Sequence, residues 1–330
     1  MINTILYEEN HTMNNQQRHK ASVQQTIYYL NTYYSDWRLT KLLSLEKMLN
    51  ERYTFFNDIK HNVKQHDDEN GDATIAQEIK NGIYFDAIAT CIQYVEDLFA
   101  LLNASQKPDY FIKEILTYNP SDISKFIDKL IITKERLGEL FHYPTEFGNN
   151  TTKETITEIN KSTKILEQLI LDSLDFYKKH KFKYNKYKHG LSVALRPLGK
   201  KIIAENVEKD KNNNHKPYLL AFDSYNLEKA KKRGGFSGKL VMIPFLTDEI
   251  RPFAQDLEKE DNLLRSVPIE EINDMDFFQF TELGYKVSTC LKIFIHNYTY
   301  HIDYRTKQKK FQLPQGHKTR EVLQGEYTID

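Results

Sequence analysis

The chain has 330 residues, 40% of them hydrophobic and 28% charged, which is enough for a sizeable core in one large domain or two ordinary ones. Lys plus Arg and Asp plus Glu both number 46, so the net charge is zero and a uniformly basic chain that coats nucleic acid is excluded. No stretch approaches the roughly 18 apolar residues of a membrane span, and MINTILYEENHTMNNQQ has neither the basic start nor the apolar run of a signal peptide, so a soluble cytoplasmic protein is expected.

Tyr and Phe are abundant, 21 and 19 against a single Trp, and call for many rings with the body inside and the polar tip at the surface. Gly at 12 and Pro at 9 are scarce, which predicts few turns and long helices. Residues 1–20 are rich in Asn and Gln and read as a mobile tail. From Val23 to Lys64, Ile27, Leu30, Tyr34 and Trp37 keep helical steps, and Leu42, Leu45 and Leu49 resume them after a five-residue gap. HDDENGD at 66–72 is a solvated loop.

The clearest helix follows. Tyr84, Ile88, Cys91, Val95, Leu98 and Leu102 alternate four and three apart, with Ile92 and Phe99 widening the stripe, and the helix is expected to end near Asn103. A further helix is expected from Asp109 to Asn119. Ser121 to Glu139 reads as one helix capped by Ser121 or Asp122, with Phe126, Leu130 and Leu137 inward. Thr152 to about Leu191 is the longest pattern, striped by Ile159, Leu166, Leu169, Ile170, Leu174 and Tyr177.

The character changes beyond Arg196-Pro197-Leu198-Gly199. KDKNNNHK at 209–216 is a polar hinge; PYLLAFD at 217–223 and KLVMIPFL at 239–246 read as a pair of strands. A helix returns at 276–297, with Phe280, Leu283, Val287, Leu291 and Phe294 on one face, and YTYHIDY at 298–304 alternates as a third strand would. The expected class is mainly α: a tail over 1–20, a helical bundle over 21–200, and a smaller mixed α/β portion over 201–330 with a short hairpin or small sheet. Cys91 and Cys290 lack metal-ligand or redox spacing and sit in apolar helical patterns, as reduced core residues do.

Charge is balanced only on average. Residues 178–239 hold 17 Lys and Arg against 5 Asp and Glu, while 248–282 hold 3 against 11. Such blocks either present a basic surface to phosphate or pack together and neutralise one another. The most distinctive string is FYKKHKFKYNKYKHGLSVALRP at 176–197. On a helix, Asn185 and His189 lie one turn apart on one face, where an amide and an imidazole could hold a phosphate or a ribose hydroxyl. Lys183, Lys186 and Lys188 supply charge, and Tyr184, interleaved with them, suits either stacking on a single-stranded base or core packing. Neighbouring lysines disfavour protonation of His189; a carboxylate would reverse that, and Glu96, at the edge of the strongest helical stripe, is the candidate. The pairing serves either as a site or as a buried polar network that fixes helix register.

In its helical bundle and in Asn185-Lys186-Tyr187-Lys188-His189 near the end of a late helix, the chain resembles the HEPN superfamily of nucleotide-binding helical domains, over residues 80–195. Its catalytic members are metal-independent ribonucleases with an Arg, four to six residues and a His, and act as dimers. His189 matches the His, whereas Phe182, Lys183 and Tyr184 stand where the Arg would be, and lysine lacks the bidentate guanidinium fork. The resemblance therefore implies a non-catalytic relative that binds RNA or a nucleotide, or a protein partner, with homodimerisation as a family habit. A ribonuclease-like enzyme using His189, Asn185 and Glu96 and a helical protein-interaction module are the alternatives. No cofactor is expected. RGGFSGK at 233–239 has Arg233 and Leu240 where a Walker loop needs Gly and Ser or Thr, His61 and His66 diverge on a helix, and His296, His301 and Asp303 would gather a metal only if a strand met a helix end, so no metal site is assigned.

Overall fold

The computed structural model describes residues 15–51, 54, 75–149, 151–188, 193–194, 219–226, 262–269, 276–303, 309–318 and 321–329, and over these the chain is mainly α-helical. Among them, no helix is long and apolar enough to cross a membrane. The chain divides into two units: Met1–Leu43, Thr90–Lys178 and Phe280–Asp330 form the first, Ser44–Ala89 and Lys179–Gln279 the second. The expected strand at 239–246, the hinge at 209–216 and the loop at 66–72 lie outside the described residues.

In the first unit, α1 spans Asn15–Thr32 and α2 begins at Trp37, running to Asn50. Residues 15–20, expected within a tail, are helical instead, because Gln16, Gln17, Arg18 and Lys20, though polar and exposed, are good helix formers and join the first turns of α1. The break between the two helices falls at residues 33–36, ahead of the five-residue gap from Trp37 to Leu42, which lies inside α2. Asp36 in that break accepts from the Ser288 hydroxyl and pairs with Lys292 at 2.8 Å, and the Tyr94 hydroxyl donates to the Ser35 carbonyl.

Helix α3, Ile75–Ala104, passes through this unit from Thr90 onward. Its expected face is buried, and so are Tyr94 and Leu101 on other sides, so the helix is enclosed almost all round. A single 3-10 turn at Pro108–Tyr110 and the short α4, Phe111–Leu116, occupy the stretch expected as one helix. The helix expected over 121–139 is two: α5, Pro120–Lys129, and α6, Lys134–Phe141. Asn119 caps α5, its side chain accepting from Ser121 N with Pro120 in the first turn, rather than Ser121 or Asp122. Leu130 turns to extended backbone, and Thr133 caps α6 by accepting from Arg136 N at 3.1 Å. The β-branched run Ile131-Ile132-Thr133 explains the break, since such side chains crowd a helix and favour extended backbone.

The longest helix is α7, Lys153–Lys188. Ile159, Leu166, Leu169, Ile170, Leu174 and Tyr177 are all buried, as their spacing requires. In the second unit a three-stranded antiparallel sheet follows: β1 (Val193–Ala194), β2 (Leu219–Asn226) and β3 (Asn262–Ile269), with β2 in the middle. Leu219 faces Ile269 and Val193 faces Ala221 in register. β2 thus pairs with β3 along its whole length and with β1 over Leu220 and Ala221.

Helix α8, Phe278–Ile302, buries Phe280, Leu283, Val287, Leu291 and Phe294 and runs on through residues 298–302 of the stretch expected as a third strand. Tyr298 is the reason: it continues the helical spacing from Phe294, is fully buried and stacks on that ring at 5.4 Å. Early in α8, a Cβ on Gly284 would come within 2.9 Å of Leu42 and 3.1 Å of Leu39, so this glycine permits the close approach of α2. The unit ends in the hairpin β4 (Lys309–Lys318) and β5 (Glu321–Ile329), with an irregularity between Pro314 and Gly316 and Phe311 stacked on Tyr327 at 5.4 Å. A short hairpin is expected in this portion of the chain but not at these residues, since Pro314 interrupts a run already weak in apolar alternation.

Asn297 of α8 fastens these parts. It is 1% exposed; its amide donates to Phe141 O at 2.9 Å and Gln312 O at 3.0 Å, and its carbonyl accepts from Gln312 N at 2.6 Å. The Phe141 carbonyl is one of those a helix end leaves without an intrahelical donor. Asn297→Ala is expected to lower unfolding free energy by about 2–4 kcal/mol, the scale of leaving buried polar groups unmatched. Asn297→Asp, which cannot donate when ionised, should do at least as much damage, and urea denaturation of both variants checks this.

Candidate functional site

The sequence singles out the end of α7, and the structure makes residues 182–188 helical. Within the second unit, Lys181, Asn185 and Lys188 follow one another four and three residues apart and so share a face. Asn185 and Lys188 are exposed and Lys181 is partly so. The lysines at this helix C-terminus also lie where the peptide dipoles favour positive charge. Lys183 and Lys186 belong to the same helix, while His189 lies outside the described residues.

The aromatic members turn the other way. Tyr184 is 5% exposed, with Lys188 Nζ 5.9 Å from its ring centroid, so its faces are not offered to a base. Tyr187 stacks on Phe85 of α3 at 5.1 Å and donates its hydroxyl to Asp86 at 2.9 Å. Burial and then that bond to Asp86 push the Tyr187 phenol up to about 12. These rings hold α7 to α3 within the unit, and the exposed stripe is left to amide and ammonium groups.

Glu96 belongs to the first unit, where it is 5% exposed and accepts from the Tyr177 hydroxyl at 3.4 Å. Burial, followed by the negative charge of Glu96, raises the Tyr177 phenol to about 12. The carboxylate thus has a buried phenol of α7 for company, while His189, its expected partner, lies outside the described residues.

Two polar groupings escaped sequence reasoning. Arg38 donates to Asp97 at 2.5 and 3.2 Å and to Gln93 at 2.6 Å, with only 11% and 16% of the two charged side chains exposed. Burial holds the Asp97 carboxyl above its ordinary value despite the guanidinium beside it. Nothing in the local spacing announces this pair, because its partners are 59 residues apart. The second grouping is His142, whose ring stacks on Tyr298 at 4.7 Å and on His301 at 4.6 Å. His142 caps α6 with φ 54°, the left-handed region, where its backbone N–H bonds Gly138 O. Among the described residues, the Tyr298 hydroxyl and His142 Nε2 are buried without a hydrogen-bond partner. Helix geometry keeps His296 and His301 on α8, and among the described residues no cluster of three or more metal-ligating side chains forms.

Comparison with protein-family models, with curated proteins and with solved structures yields no match to this chain. What it does must be read from its own residues.

Burial, with His301 adding to it, lowers the His142 pKa to about 3. An unfolded histidine titrates near 6.5, so the neutral ring contributes its full stability above that pH and loses it as pH falls toward 3. Between pH 6.5 and 4.5 the unfolding free energy should drop by about 2 kcal/mol on this account. His142→Asn, which tolerates the left-handed backbone and does not titrate, should flatten that part of the profile in denaturant titrations at stepped pH.

Proposed function

We propose that this protein is a non-catalytic helical binder of phosphate-bearing polymers, RNA foremost, acting in the cytoplasm through the C-terminal end of α7. The observation that carries the reading is the exposed stripe of Asn185 and Lys188 with Lys181 behind them. Its setting is the stretch 178–239, where 17 basic residues face only 5 acidic ones. Contact with phosphates would displace counterions and give a binding strength that falls steeply with salt. Cleavage is not part of the proposal: Phe182, Lys183 and Tyr184 offer no arginine fork to a transition-state phosphate, and Glu96 is engaged by Tyr177.

The test is a titration with single-stranded RNA at several salt concentrations. Replacing Asn185, Lys188 and His189 together by alanine should weaken binding by roughly tenfold and lower the salt slope by about 1, the share of one phosphate contact. Salt-independent binding, or none, would favour a protein-interaction module instead, for which the exposed Tyr28 (73%), Ile131 (75%) and Leu116 (79%) argue. Solution mass in the same buffers decides whether the binder is a homodimer.

A further inference from the structure

The first unit holds an open groove of about 790 Å³ where α1 passes the 3-10 turn and α4. Arg18, His19, Asp109, Tyr110, Lys113 and Leu116 line it. This groove differs from the α7 stripe in unit, in elements and in composition.

Three observations give it a chemical preference. The first is charge without a partner. Of the arginines described in this unit, Arg38 is bound by Asp97 and Arg136 by Glu139 at 2.8 Å, whereas Arg18 has neither ion pair nor hydrogen bond among the described residues. Lys113 is likewise without a carboxylate there, its ammonium lying 5.9 Å from the Tyr110 ring centroid. The second is that the one carboxylate of the lining is occupied: Asp109 Oδ1 meets His19 Nδ1, and the Asp109 carbonyl accepts from the Ser22 hydroxyl at 3.0 Å. The bond to Asp109 engages one ring nitrogen of His19 and leaves Nε2, on a side chain that is 55% exposed, for a ligand. The third is apolar surface at the same place: Tyr110 is 58% and Leu116 79% exposed.

We infer that this groove binds a small phosphate monoester carrying an aromatic or apolar body, with Arg18 and Lys113 on the phosphate and Leu116 and Tyr110 against the body. A phosphate monoester suits the lining better than a carboxylate. Its near-dianionic charge rewards two cations at once, and its terminal oxygens can take the guanidinium fork and the ammonium together. Because the groove is open, the attraction is screened and weakens with salt.

Phenyl phosphate is the probe, with phenol and inorganic phosphate as its two halves, followed by calorimetry or ligand-observed NMR. Phenyl phosphate should bind more tightly than either half, and Arg18→Gln with Lys113→Gln should weaken it about tenfold, the effect of roughly 1.4 kcal/mol. Both side chains are exposed, so the variant should keep the wild-type circular dichroism and melting temperature. A distinct check needs no variant: raising salt should weaken phenyl phosphate and leave phenol unchanged. Failure of the wild type to bind, phenol binding as well as phenyl phosphate, or an unchanged affinity in the double variant would each overturn the inference. Alanine at Asn185, Lys188 and His189 should leave phenyl phosphate binding intact, which separates this groove from RNA binding at α7.

Discussion

One side-chain amide holds together what the chain order keeps apart. Asn297 satisfies the last carbonyl of α6 and both polar groups of Gln312 in β4, so a helix end, the middle of a second helix and a strand share one buried hydrogen-bonding group. The bond to Phe141 is buried and those to Gln312 are part-buried, and an amide serves all three because it both donates and accepts. The β4–β5 hairpin gains a second hold where the hydroxyls of Ser162 and Tyr327 meet at 2.8 Å. A two-stranded hairpin is marginal by itself; packed and bonded to helices, it becomes part of the unit.

Around that fastening, the first unit settles its buried charges in pairs. Arg38 meets Asp97 and Gln93, and Lys286 meets Asp172 at 2.6 Å and Glu282 at 3.0 Å. Arg38–Asp97 and Lys286–Asp172 each join residues distant in sequence, while Glu282 lies one turn from Lys286 on α8, and removing one member would leave its partner's charge unmatched. Such pairs specify which helix faces meet more than they add stability. Against this background a guanidinium and an ammonium without an ion pair among the described residues stand out at one groove.

The helices were legible wherever a continuous apolar stripe met a buried environment. The faces of α3, α7 and α8 follow from periodicity alone, and Cys91 and Cys290 are free and buried as their patterns require. Errors fell where local chemistry competes with periodicity. Tyr298, Tyr300 and Ile302 alternate as a strand would, whereas Phe294, Tyr298 and His301 keep helical spacing, and the stacking of Tyr298 on Phe294 decides the matter. The β-branched triplet at 131–133 split one expected helix, and Pro314 hid a strand. Of the candidate site, helicity at 182–188 and the exposure of Asn185 and Lys188 were readable; the inward turn of Tyr184 and Tyr187 was not. Aromatics at helical spacing look the same on either side of a helix until the partner, here Phe85, is known.

The two thiols give the molecule an internal gauge. Cys91 and Cys290 are fully enclosed, and burial pushes both thiols well above their ordinary range, so in the closed state neither is a nucleophile of any consequence. An electrophile in solution can reach Cys91 on α3 or Cys290 on α8 only during moments when the helices around it part. The pace of their alkylation therefore reports how often the centre of the first unit breathes, residue by residue, in the unmodified chain.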